Sequence, residues 1–217
     1  MIDHDETITR ATMIGPFPLP DIDEELRGDA RAKPNDWIAF VDPAVDPAAS
    51  NPPRFAIQGG YRTDEHGQIV DYYINSRYEP SQARAGVAFQ NGLELIIWRV
   101  KNGYNPLGLL VDSLYHARLL TYAEHEGDTR LPVLADPDYP EISLFPICTS
   151  SERTSWAHTT PISGADVLEL TGQTDVVLDL NPGTSLALRL RARDLAQLVT
   201  AETPHLLDKY RTPSSNE

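Results

Sequence analysis

Proline placement constrains this chain more than any other feature. Eighteen prolines occur in 217 residues, and they cluster between the apolar runs. A proline inside a helix or a central strand removes a backbone donor and clashes with the preceding turn. Helices and strands must therefore be short and loops numerous, which argues against a helical bundle. Apolar residues still make up 41% of the chain, enough to bury a core in one large domain or two small ones. The single cysteine, Cys148, excludes an internal disulfide.

Residues 1–36 are acidic and proline-interrupted, and Gly15-Pro-Phe-Pro-Leu-Pro20 can neither continue a helix nor pair in a central strand. They read as an extended arm with a short helix at Ile22–Arg27 and with Phe17 and Leu19 as anchors. A strand follows at Trp37–Val41, then a loop through Pro53. Arg54–Arg62 and Gln68–Asn75 read as a hairpin around Thr63-Asp-Glu-His-Gly67. In its second strand Val70, Tyr72 and Ile74 form the mostly apolar face. Gly59-Gly60 inside the first strand marks a bulge or a close backbone approach.

Leu93, Ile96, Ile97 and Val100 fall at helical spacing, and Gly103 ends that helix. Asn105 is expected to cap the next, with Pro106 in its first position and Leu107, Leu110, Val111, Leu114 and Tyr115 as its buried stripe. Strands are expected at Arg118–Ala123, Arg130–Leu134, Glu141–Thr149, Asp175–Leu180 and Ser185–Leu190. Ser150 or Ser151 caps a short helix through Trp156, Ser163 caps another, and a last helix covers Arg193–Thr200. The mixture of hairpins and helical connections predicts an α+β protein: two units of related size with mixed or antiparallel sheets and flanking helices. The boundaries are an arm at 1–36, a module at 37–123, a second at 124–203 and a tail at 204–217, disordered from Thr212.

The residues offer no familiar chemistry. There is no phosphate-cradling loop, no Gly-x-Ser-x-Gly elbow and no His-Glu-x-x-His helix. The six histidines are scattered, so no metal or cofactor is expected. Cys148 reads as a core residue, with His158 as the one histidine close enough in sequence to matter. No catalytic residue is assigned, and the chain is not expected to be an enzyme.

The formal charge of −14 disfavours nucleic acid. Residues 120–175 hold ten acidic side chains against Arg130 and Arg153. No apolar run reaches the ~18 residues of a membrane span, and no signal pattern opens the chain, so a cytoplasmic protein is expected. Two loops are candidate contact surfaces as well as turns. One supplies Arg77, Tyr78, Pro80 and Ser81, the other Asn181, Pro182 and Gly183.

Leu131-Pro-Val-Leu134, the strand ending in Thr149-Ser-Ser-Glu152, Asp179-Leu-Asn-Pro-Gly183 and Asp194-Leu-Ala-Gln-Leu198 together resemble the SseB-type domain. Val41-Asp-Pro43, Gly59–Gly67, Asn75–Ser81 and the helix leading to Asn102-Gly-Tyr104 are similar to a module found beside actinobacterial type VII secretion genes, though Ser76 stands where that module more often has proline. The resemblance implies a cytoplasmic accessory, adaptor or chaperone of type VII secretion, without catalytic residues. Its partner would be a protein: a secretion component or a secreted substrate. The alternative is an immunity protein whose acidic surface neutralises a basic toxin. Oligomeric state stays open.

Overall fold

The computed structural model describes residues 13–46, 51–172 and 174–201. The expectations for residues 1–12 of the arm, for 47–50 in the loop and for the tail at 204–217 fall outside them. The protein is α+β, and the chain forms two compact units, one of Met13–Ala88 with Arg99–Asn105, the other of Phe89–Trp98 with the chain from Pro106.

The smaller unit is built on an antiparallel sheet of β1 (Trp37–Val41), β2 (Ile57–Thr63) and β3 (Ile69–Ile74), in that order. Helix α1 (Glu24–Ala32) starts where Asp23 accepts a hydrogen bond from the Leu26 N–H, with Glu24 and Glu25 in the first turn and Arg31 in the last. Cap and charges both suit the helix dipole, which sets the helix later than the expected Ile22–Arg27. Leu26 and Ala30 pack with Leu19, Ile38 and Tyr61, and Phe40, Ile69 and Ile74 close that core. Leu19 is thus the buried anchor of the arm, while Phe17 lies edge-on to Tyr72 at 5.2 Å and stays exposed.

Two bulges interrupt the sheet. Phe40 faces Gly59 but Val41 faces Ile57, which leaves Gln58 as the extra residue. Arg62 faces Asp71 but Thr63 faces Ile69, which leaves Val70 extra. The second bulge amends the expected apolar face at one position: Tyr72 stays opposite Tyr61 and Ile74 packs on the core, but Ile69 takes the place of Val70, which is exposed. The paired glycines do mark a close approach, since a Cβ on Gly59 would lie 2.2 Å from the Tyr73 carbonyl and one on Gly60 2.6 Å from that of Ile38. Arg54–Ala56, expected as strand, is a single tight helical turn. The Ser81 hydroxyl caps a short helix, α2 (Gln82–Ala85).

Helix α3 (Gly92–Lys101) ends at Gly103, as its spacing predicts. Helix α4 (Leu107–Tyr115) begins after Pro106, without a side-chain cap. Asn105 is buried and does not cap it; its amide turns to the Ser76 carbonyl instead. Of the expected stripe, Leu110, Val111 and Leu114 are buried and Tyr115 is exposed.

The larger unit holds a six-stranded sheet of β4 (Arg118–Tyr122), β5 (Leu134–Ala135), β6 (Ser143–Cys148), β7 (Thr159–Ser163), β8 (Val176–Leu180) and β9 (Leu188–Arg191). The order is β7-β4-β6-β8-β9, with β5 on β6. Among the described residues only β6 and β8 run parallel; every other pair of this sheet is antiparallel. The helices α4, α5 (Gly164–Gly172) and α6 (Ala192–Ala201) pack on one another, and α6 lies against β8 and β9. Phe145, Ile147, Leu178, Leu180, Leu186 and Leu195 are almost fully buried, each worth ~1.5–3 kcal/mol of transfer free energy.

Three expectations change here. The boundary at 124 separates β4 from β6, yet the two are hydrogen-bonded neighbours, so α4 and β4 group with the C-terminal sheet. The expected strand at Arg130–Leu134 shrinks to Leu134–Ala135, because Pro132 cannot supply a ladder donor. Strand β7 was not expected; it carries Pro161 on a sheet edge, where proline is tolerated. The capping expectation for Ser163 stands, since its hydroxyl accepts from the Asp166 N–H at 3.1 Å. Among the described residues no helix is long and apolar enough to cross a membrane.

Candidate functional site

The two candidate loops are turns held from inside by buried polar side chains. In the smaller unit the turn begins at Asn75, where β3 ends. The Asn75 amide donates to the Arg54 and Ile57 carbonyls at 2.9 and 2.7 Å, and its oxygen accepts from the Arg77 N–H at 3.0 Å. The Tyr78 N–H closes the turn onto the Asn75 carbonyl, and the Glu79 N–H reaches the Phe55 carbonyl.

Tyr78 is fully buried and packs its ring on Tyr104 with centroids 4.9 Å apart. Its hydroxyl donates to Asp42 Oδ2 at 2.5 Å, and the Ser81 N–H donates to the same oxygen at 2.9 Å. The Ala44 N–H takes Asp42 Oδ1. Burial alone would raise the Asp42 carboxyl, but these donors outweigh it and hold the group at about 2. Burial and the adjacent carboxylate push the Tyr78 phenol far above its ordinary range. On the other side Arg99, itself mostly buried, donates from Nε to the Tyr78 carbonyl at 2.7 Å.

The second turn follows β8. Asn181 is fully buried in the left-handed region at φ 48°, a conformation asparagine tolerates. Its N–H reaches the Ile147 carbonyl at 2.8 Å, and its side-chain oxygen accepts from the Thr149 N–H at 2.9 Å. The Thr184 N–H and hydroxyl return to the Asn181 carbonyl, and Gly183 follows at φ 75°. The hydroxyl run at 149–151 meets this turn, but not as helix caps. The Thr149 and Ser150 hydroxyls lie 2.8 and 3.1 Å from Glu94 Oε1.

Glu94, in the first turn of α3, is fully buried. Its Oε2 accepts from Arg153 Nη2 at 2.5 Å and from the Gln90 N–H at 2.8 Å. Desolvation raises its carboxyl, and the bonds from Arg153, Gln90 and Thr149 more than reverse this, so the net direction is downward. Asn91 completes the set: its oxygen caps the Glu94 N–H and its amide donates to the Thr149 carbonyl. On the edge strand β9, half-exposed Arg189 bridges two largely buried carboxylates, Asp136 at 2.6 Å and Asp179 at 3.3 Å.

These networks sort the candidate residues. Tyr78 and Asn181 are interior, so their side chains cannot meet a partner; both are corrected from contact residue to frame. Pro80, Ser81 and Pro182 are half-buried, while Arg77, Glu79 and Gly183 are exposed. Cys148 is buried, its thiol donating to the Arg153 carbonyl at 3.4 Å and pushed up to about 11 by burial. His158 engages by its carbonyl, with the Ala123 N–H.

The residues that sequence reasoning missed are Asp42, Glu94 and Arg153. Asn91-Gly-Leu-Glu94 has the spacing of a capping box before an apolar run, and that signal marks Glu94. Nothing local ties Asp42 to Tyr78, 36 residues on. Among the described residues no group of three His, Cys, Asp or Glu is arranged to hold a metal. No family model, curated protein or solved structure matches the chain.

Proposed function

We propose that the protein is a non-catalytic, cytoplasmic accessory of type VII secretion that binds a protein partner through its two clamped turns. One observation carries the reading: the polar motif residues are spent on holding the turns from inside, and Arg77, Glu79 and Gly183 stand outside them. A contact residue on a rigid turn loses little entropy on binding. Asp42 and Glu94 are held as ionised acceptors, whereas a general acid would need a raised pKa.

A second reading, immunity against a basic toxin, is favoured by the acidic stretch around Glu126, Asp138 and Glu141. Affinity capture of the tagged protein from its native cytoplasm, with an Arg77→Glu variant in parallel, tests both. The accessory reading expects secretion components or small secreted substrates, lost with Arg77→Glu. Recovery of one basic toxin, released as salt rises and indifferent to Arg77, selects immunity. Partners that survive Arg77→Glu and a substituted Gly183 place the contact elsewhere.

A further inference from the structure

The six-stranded sheet treats its open backbone in two ways. Edge strand β7 carries Pro161, and edge strand β9 carries Arg189 and Arg191; proline and charge both discourage strand addition. Strand β5, Leu134–Ala135, has neither within it, and Pro132 lies before its first paired residue. The strand pairs with β6 through Leu134 opposite Leu144 and Ala135 opposite Ser143, and the Asp136 N–H continues the ladder to the Ile142 carbonyl at 2.9 Å.

In an antiparallel ladder successive residues turn their N–H and C=O to alternate sides. Leu134 and Asp136 face β6, so Ala135 aims both of its groups away from it, and so does the Val133 carbonyl, which shares a trans peptide with the inward Leu134 N–H.

The side chains here are apolar and uncovered. Leu131 is 41% exposed, Val133 56% and Leu134 43%, and Tyr139 in the following turn is 58% exposed. The surrounding charge has one sign. Arg130 is the single cation between 124 and 141, and Glu124 and Asp128 hold it. Glu126, Asp138 and Glu141 are exposed and have no ion pair among the described residues.

We propose that the open edge at residues 133–135 docks an extended polypeptide segment, basic and apolar at alternate positions, which joins β5 as an added strand. The inference rests on the protein-binding reading and names the chemistry of the segment that would be bound. Outward backbone groups would set its register. Its apolar side chains would cover Leu131 and Val133, and its lysines or arginines would meet Glu126, Asp138 and Glu141. An acidic segment would be repelled.

The probe is a fluorescein-labelled peptide of alternating lysine and valine, titrated into the full chain at low and moderate salt and read by anisotropy. Saturable binding is expected, weakened at least tenfold by Val133→Lys. A peptide N-methylated on alternate amides should lose binding to the same degree, since it keeps its charge but cannot add as a strand. Asp138→Lys, a change in an exposed turn, should weaken binding more at low salt than at moderate salt. The inference is overturned by no saturable binding, or by equal binding of the methylated peptide or of the Val133→Lys variant. It fails separately from the function reading: a captured partner lost with Arg77→Glu but kept by Val133→Lys removes the edge site and leaves the accessory reading standing. Peptide binding with no captured partner does the reverse.

Discussion

The two clamped turns solve one problem with different chemistry. In the smaller unit a single ionised carboxylate, Asp42, gathers the Tyr78 hydroxyl and two backbone N–H groups. In the larger unit the work is divided: neutral Asn181 holds the backbone of Thr149, while the charge sits on Glu94 and is answered by Arg153. The first clamp depends on one group and on its ionisation. The second spreads its bonds over several side chains but includes a buried ion pair, and such a pair is unforgiving when one member is lost.

The largest test of that contrast is Glu94→Ala. It strands Arg153, whose side chain is 11% exposed, and should cost about 3–5 kcal/mol in denaturant unfolding. Glu94→Ala combined with Arg153→Met should recover part of the loss. If Glu94→Ala is silent, the pair does not support the fold.

Asp42→Asn comes next, at about 2–3 kcal/mol, because it replaces charge-assisted bonds by neutral ones. It also has a pH signature. The folded carboxyl lies at about 2 against an ordinary 3.8. A depressed pKa contributes stability that is complete above the unfolded value and is lost as pH falls through the folded one. Wild type should therefore lose this contribution between roughly pH 4 and pH 2, and Asp42→Asn should flatten that limb of the stability curve. An unchanged acid limb would sink the assignment.

Asn181→Ala loses the clamp and strains a positive φ, for about 1–3 kcal/mol. Asn181→Gly relieves the strain and keeps only the clamp loss, so the variant pair separates the two terms by chemical denaturation. The smallest effect belongs to Arg77→Ala, expected within about 0.5 kcal/mol of wild type. A large destabilisation there would make Arg77 part of the frame as well.

Much of the fold was readable from spacing, and the failures have physical causes. The strand at Trp37–Val41, the helix closed by Gly103 and the Ser163 cap each carry a local signal, and each forms as expected. Asn181-Pro-Gly183 reads as a turn because asparagine and glycine suit positive φ, and it is one. The exposed Val70 was hidden because one inserted residue reverses the alternation beyond it. Strand β7 was hidden because Pro161 speaks against a strand unless the strand is known to be an edge.

The site was half legible. Motif spacing picked out both turns, but it could not separate frame from surface at Tyr78 and Asn181. That distinction is made by Asp42 and Thr149, 36 and 32 residues away, and long-range pairing leaves no local trace.

The motif residues bond to one another across the chain and act as frame, as Tyr78 does with Asp42. The decisive experiment is a double-mutant cycle on Asp42→Asn and Tyr78→Phe, read by denaturant unfolding. A coupling of at least about 1 kcal/mol is predicted, since each change removes one partner of the same buried bond. Losses that add within about 0.3–0.5 kcal/mol would mean that the two motifs do not hold each other.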